Sequence, residues 1–230
     1  MNMNPIIIAL DVENAAEARK IVAALGDSAS FYKVGMELYA SAGMDFVREL
    51  KQQGHRVFLD LKLYDIGETV KRATAQIAGT GVDFLTVHAT RQVMQAAVAG
   101  RGDSALKLLA VTVLTSVDDR DLKEDGYSCG VAELVDRRVR NAVADGVDGI
   151  VCSPLDVAKV RMIADRAVLV TPGVRSAGVA AGDQKRVATP AEAIADGADY
   201  LVIGRQVTRS GHPRDEILRI LDEISAKPVS

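Results

Sequence analysis

Apolar residues in this chain fall into two kinds of segment. Short runs rich in β-branched side chains occupy residues 5–10, 31–34, 56–61, 83–87, 106–114, 148–152, 167–170 and 199–203. Between them lie stretches such as 15–25, 36–53 and 131–144, in which apolar residues recur at helical spacing. A strand buried on both faces reads as a near-continuous apolar run, because neither face meets water. Eight such runs, each followed by a helix-sized segment, predict a parallel sheet joined by helical crossovers.

The spacing of the runs predicts how the sheet closes. Runs beginning near residues 6, 31, 56 and 83 succeed one another at about the length of one strand–loop–helix unit. Only the step from 106 to 148 is long, and its polar stretch 116–130 predicts an inserted short helix. Gly-Val-Asp at 81–83 and 146–148 and Gly-Ala-Asp at 197–199 each precede an apolar run. Their glycines fit the left-handed cap that ends a helix before the next strand begins, a punctuation without chemistry of its own. No linker, Pro-rich tract or charge block interrupts the series, so residues 1–230 are expected to form one (β/α)8 barrel. An open doubly wound sheet is the alternative. It usually carries GxGxxG after its first strand, where this chain has Ala9-Leu10-Asp11-Val12-Glu13.

Composition narrows the class. The 230 residues are 48% hydrophobic and 26% charged, as in ordinary globular proteins, and the length suits one α/β barrel of about 200–250 residues. A net charge of −3 argues against nucleic acid or an anionic membrane surface as partner. The N-terminus lacks a basic segment and its apolar run stops at Asp11, too short for a signal sequence or a membrane span. Cys129 and Cys152 lie far apart without metal-ligand spacing, which fits reduced thiols and a cytoplasmic protein.

Chemistry in such barrels sits at the C-terminal ends of the strands. There this chain places Asp11, Lys33, Asp60, Lys62, then Asp65 in the adjoining loop, His88, Thr115 with Ser116, Arg175 and Arg205. Strand side chains alternate faces, so Asp60 and Lys62 are expected to point together into the barrel mouth while Leu59 and Leu61 point to the helices. An isolated buried carboxylate is costly; Lys33, Asp60, Lys62 and Asp65 alternate in sign and can be held together. A network that merely satisfies itself is the bland reading. Apolar replacement of such networks is often neutral or stabilising, so stability does not explain its presence.

The loops after strands seven and eight commonly hold phosphate in this architecture. Here the first, 173–184, is long and punctuated by Gly173, Gly178 and Gly182, and the second offers Gly204 beside Arg205. A guanidinium suits a two-pronged grip on phosphate.

The sequence resembles orotidine 5′-phosphate decarboxylases nearly end to end. The resemblance rests on IIALD at 7–11, KVGMELY at 33–39, FLDLKLYDI at 58–66, VTVLTS at 111–116, DGIVCS at 148–153, VTPGVR at 170–175, DQKRVATP at 183–190 and YLVIGR at 200–205. It implies a carboxy-lyase that converts orotidine 5′-monophosphate (OMP) to UMP with no metal and no organic cofactor. Residue by residue, it implies that Asp11 and Lys33 contact the ribose and that Asp60 lies beside the substrate carboxylate. Lys62 would be the catalytic lysine. Asp65 and Thr69 would reach the neighbouring subunit of a homodimer, Thr115 and Ser116 would face the pyrimidine, and Arg175, Gln184, Gly204 and Arg205 would grip the phosphate.

Two departures stand out. Where many relatives read DIPNT, this chain has Asp65-Ile66-Gly67-Glu68-Thr69, which loosens the turn and adds a carboxylate. Where many follow the strand-four His-Ala with a glycine pair, it has His88-Ala89-Thr90-Arg91, and His88 reads as a structural histidine. The nearest rival, a metal-dependent phosphosugar decarboxylase or aldolase on the same barrel, shares DxKxxD but typically has a carboxylate ligand where this chain has Lys33, a cation that repels Mg²⁺.

Overall fold

The computed structural model describes residues 4–177 and 187–226. Eight parallel strands close into a barrel in chain order: β1 (Ile6–Ala9), β2 (Phe31–Gly35), β3 (Arg56–Leu63), β4 (Phe84–His88), β5 (Lys107–Val111), β6 (Gly149–Val151), β7 (Val168–Thr171) and β8 (Tyr200–Ile203). β8 returns to pair with β1, so no strand edge is left to solvent. The crossovers hold α1 (Ala15–Leu25), α2 (Met36–Gln52), α3 (Gly67–Ala78), α4 (Arg91–Arg101), α5 (Asp119–Glu124), α6 (Val131–Ala144), α7 (Val157–Ile163) and α8 (Pro190–Ala195), with α9 (Arg205–Thr208) and α10 (Pro213–Ser225) after β8. The short α5 occupies the stretch expected to hold an inserted helix. Among the described residues, no helix is long and apolar enough to cross a membrane.

Two boundaries differ from the sequence reading. The apolar run 106–114 yields a strand only to Val111; beyond it the chain enters the turn that carries Thr115 and Ser116. Strand β3 runs on past Leu61 to Leu63. Its pairing with β4 jumps from Leu59 opposite Leu85 to Leu63 opposite Val87, so β3 carries a bulge there.

Alternation along the strands makes two cores. Ile8, Tyr32, Val34, Leu59, Leu85, Ala110 and Leu169 face the helices in the larger one. Ile7, Phe31, Phe58, Phe84, Leu109, Val170, Tyr200 and Val202 fill the barrel itself. At the N-terminal end Phe31, Phe84 and Tyr200 meet edge to face at 5.1–5.6 Å. The Arg56 guanidinium lies 4.0 Å from the Phe31 ring centre and donates to the Tyr200 hydroxyl at 3.1 Å, a partly exposed cation–π contact. These groups plug the floor of the barrel.

Candidate active site

The open end holds a cavity of about 470 Å³. Its apolar walls come from inward positions of the strands, among them Phe58, Val111, Val151 and Val202, with Val113 and Pro172 above them. Polar groups converge from several strands: Asp11, Lys33, Asp60, Lys62, Thr115, Ser116, Arg175, Gly204 and Arg205 all line it. Large apolar surface with a few convergent polar groups is the usual make-up of a small-molecule site.

Four charges stand in a row inside it. Lys33 Nζ lies 2.7 Å from Asp11 Oδ1 and 3.5 Å from Asp60 Oδ2, and Lys62 Nζ lies 2.8 Å from Asp60 Oδ1. The order is therefore Asp11, Lys33, Asp60, Lys62, alternating in sign across β1, β2 and β3. Gly35, two residues after Lys33 on the same face of β2, leaves room beside the first pair. A Cβ there would sit 3.1 Å from Lys33 Nζ and 3.2 Å from Asp11 Oδ1.

Burial and charge compete at the centre of this row. Burial alone would push the Lys33 ammonium down, but Asp60 and Asp11 outweigh it and hold the group above its ordinary value. Burial would likewise push the Asp60 carboxyl up. Lys33, Lys62 and the hydrogen bonds from Lys62 and Thr86 reverse that and hold it below the usual carboxylate range. Both groups are thus charged at neutral pH. Each half of the row depends on the other.

Lys62 is the exception to strand geometry. Its φ is +49°, the one positive φ among non-glycine described residues, in a region where a side chain is strained and where strain gathers at functional sites. Strict alternation therefore fails at the bulge, yet the side chain still meets Asp60. The backbone N–H of Lys62 donates not to a strand but to Thr86 Oγ1 at 2.9 Å, and the Thr86 hydroxyl donates to Asp60 Oδ1 at 2.9 Å. Thr86 is not among the residues that the strand-end pattern points to. The available signal was its place between Phe84 and His88, a hydroxyl on the inward face of an apolar strand.

Other predicted residues lie elsewhere. Asp65 does not join the row within one protomer: it is exposed in the turn beyond β3 and accepts from the N–H of Ile66 at 2.7 Å. Thr69, on the first turns of α3, is exposed as well. Within one chain the row is completed by Asp11 rather than by Asp65, because the chain turns outward after Leu63. Arg175 is buried and donates to the carbonyl of Val174 at 2.6 Å, whereas Arg205 is exposed at the start of α9. Gln184 lies outside the described residues. Glu37 and Arg209 line the cavity although the sequence reading passed over them. His88 lines no part of it and packs its ring 5.2 Å from that of Tyr64; burial, then Arg138 and Lys62, push its pKa down.

Among the described residues, no three His, Cys, Asp or Glu side chains gather as a metal ion would require. Both carboxylates of the row, the buried Asp60 and the half-exposed Asp11, are already engaged by lysine.

Comparison with known proteins adds a family to this geometry. The profile of the "Orotidine 5'-phosphate decarboxylase / HUMPS family" matches residues 4–220. The chain is 52% identical over 220 residues to an orotidine 5'-phosphate decarboxylase of Rhodopseudomonas palustris (strain BisA53), covering 95% of this chain and 94% of that one. It is 52% identical over 225 residues to the Caulobacter vibrioides (strain NA1000 / CB15N) protein of the same name, covering 96% and 97%. The crystal structure of orotidine 5'-phosphate decarboxylase from Lactobacillus acidophilus superposes with a TM-score of 0.86 at 39% identity, over 97% of this chain and all of that one.

Proposed function

Because the chain belongs to the orotidine 5'-phosphate decarboxylase / HUMPS family, we infer that it is a carboxy-lyase converting OMP to UMP in pyrimidine biosynthesis. One observation carries this over the phosphosugar chemistry of the wider family: Lys33 stands between Asp11 and Asp60, and its ammonium occupies the place where a divalent cation would need those carboxylates. The metal-dependent phosphosugar reading is not favoured.

The reaction breaks the bond between C6 of the orotate ring and its carboxylate. Carbon dioxide leaves, the electron pair stays on C6, and a proton must replace what left. Lys62 offers its ammonium where that negative charge develops and then gives the proton. Asp60, held ionised by Lys33 and Lys62, fixes the Lys62 ammonium at 2.8 Å and faces the departing carboxylate. Asp11 and Lys33 contact the ribose, and Thr115 and Ser116 face the pyrimidine. Arg175, Gln184, Gly204 and Arg205 take the phosphate, whose binding energy orients the ring although it does not react.

Asp65 and Thr69 enter from a second copy of the chain in a homodimer, in the cytoplasm, with the whole chain acting as one catalytic unit. The exposed apolar side chains flanking Asp65 support this: Tyr64 is 68% and Ile66 70% accessible, and adjoining exposed apolar side chains are what a protein–protein contact covers. Following the absorbance of OMP on adding purified protein tests the reading. Wild type is expected to consume it, and Lys62→Ala to lose several orders of magnitude in kcat with its circular dichroism unchanged. Near-wild-type turnover in that variant would sink the lysine's role.

A further inference from the structure

The bulge in β3 poses a physical problem. Between Leu59 and Leu63 the strand spends two more residues than β4 spends between Leu85 and Val87. The extra length lets both Asp60 and Lys62 reach the cavity, but it turns Lys62 left-handed and takes its N–H out of the sheet. A buried N–H without a partner is costly, and a left-handed lysine persists only where its surroundings hold it.

Thr86 supplies that hold. Its side chain is fully buried. Its one oxygen accepts from the Lys62 N–H and donates its own proton to Asp60 Oδ1, each at 2.9 Å. Asp60 Oδ1 in turn receives the Lys62 ammonium at 2.8 Å. Backbone N–H, hydroxyl, carboxylate and ammonium thus form a closed ring that ties the main chain of Lys62 to its own side chain through two neighbours. A valine at 86 would fill the same space and could make neither bond. Other buried threonines in the chain show the contrast: the hydroxyls of Thr74 and Thr171 have no hydrogen-bond partner, so a buried threonine here is not automatically part of a network.

We propose that Thr86 is a positioning residue for the decarboxylation, locking the left-handed bulge at Lys62 and the orientation of Asp60 so that the ammonium meets the reacting carbon. This rests on the reading of the protein as an OMP decarboxylase. Thr86 lies behind Asp60 and is not among the residues lining the cavity, so its loss is expected to lower kcat and leave ground-state binding nearly intact.

The test compares Thr86→Val, Thr86→Ala and Thr86→Ser with wild type. Thr86→Val is expected to reduce kcat on the order of tenfold to a hundredfold while KM and the affinity for UMP move by about threefold or less. Thr86→Ser, which keeps the hydroxyl, is expected to recover most of the turnover. Thr86→Ala reports the hydroxyl's loss if valine disturbs the fold. Proton exchange of the Lys62 amide, read by NMR, is expected to be slow in wild type and Thr86→Ser and fast in the other two. Full turnover in Thr86→Val or Thr86→Ala overturns the proposal, as does equal impairment of the serine variant. Wild type that fails to consume OMP overturns the functional reading instead, and the amide exchange then still decides whether Thr86 holds the bulge.

Discussion

Lys33 and Asp60 face each other across neighbouring strands, Nζ 3.5 Å from Oδ2, with side chains only 10% and 12% exposed. Removing Lys33 takes from the buried Asp60 one of its two cations and leaves Lys62 and Thr86 to hold it. Lys33→Met is therefore expected to cost on the order of 3 kcal/mol of stability at neutral pH. The sign of its pH dependence follows from the charges. In wild type Asp60 is held below the usual carboxylate range, so its contribution is present above the unfolded value and lost as pH falls through the lower folded one. Without Lys33, only Lys62 and Thr86 oppose burial at Asp60, so its carboxyl rises from that lowered position. The loss should shrink as pH falls toward the raised Asp60 pKa, which urea denaturation at neutral and acidic pH reads directly. A penalty independent of pH would mean that Lys33 acts through packing alone.

The outward turn of Asp65 makes a prediction about assembly. If its carboxylate serves the neighbouring copy, the Asp65→Ala and Lys62→Ala variants are each inactive for different reasons. Mixing them with exchange of subunits brings an intact Lys62 and an intact Asp65 together at one site of each hybrid dimer, and leaves the other site with neither. Turnover should return as hybrids form. With exchange confirmed by mass spectrometry of labelled chains, absence of recovery places Asp65 outside the partner's site.

The three Gly-x-Asp repeats do more than punctuate. Gly81, Gly146 and Gly197 have φ values of 75°, 76° and 107°, the left-handed cap expected of them. Each following aspartate then clips two strands. Asp83 accepts from the N–H of Val57 and the ammonium of Lys51, Asp148 from Leu108 and Arg101, and Asp199 from Leu169 and Arg161. The acceptor sits before β4, β6 or β8, the N–H at the start of β3, β5 or β7, and the cation comes from a helix. All three lie at the barrel's N-terminal end, where residues serve stability more than chemistry. Asp199→Ala is expected to lower stability by about 1–3 kcal/mol with kcat for OMP unchanged. Calorimetry and the absorbance assay read the two separately, and a matching loss of kcat would contradict the division of labour.

How much of this the sequence disclosed follows from what each signal encodes. The barrel was legible because hydrophobic periodicity reports which faces are dry, and eight near-uniform units admit few topologies. The line of charge at strand ends was legible for the same reason: Lys33, Asp60 and Lys62 are out of place in apolar runs. Local rules stop at the bulge. Alternation assumes a regular strand, so it placed Lys62 on the correct side without its left-handed turn, and it had no reason to value Thr86, whose two bonds exist only because β3 is longer than β4 at that point. Asp65 was grouped with the lysines by spacing, and spacing does not say which copy of a chain a residue serves.

Arg205 carries the last prediction. It lines the cavity from the start of α9, beside Gly204, and is exposed, whereas Arg175 is buried with one nitrogen committed to the carbonyl of Val174. A guanidinium lining the cavity suits a two-pronged grip on a phosphate. If it grips the phosphate, Arg205→Ala removes a charge-assisted interaction of about 1.5–3 kcal/mol. That is roughly a tenfold to hundredfold fall in kcat/KM for OMP. Orotidine, which lacks the phosphate, never makes that contact, and its slow turnover should be the same in wild type and variant. Free inorganic phosphite, added as a detached stand-in for the missing group, should raise orotidine turnover in wild type more than in Arg205→Ala. Equal losses with OMP and orotidine would move Arg205 from the phosphate end to the general upkeep of the β8 loop.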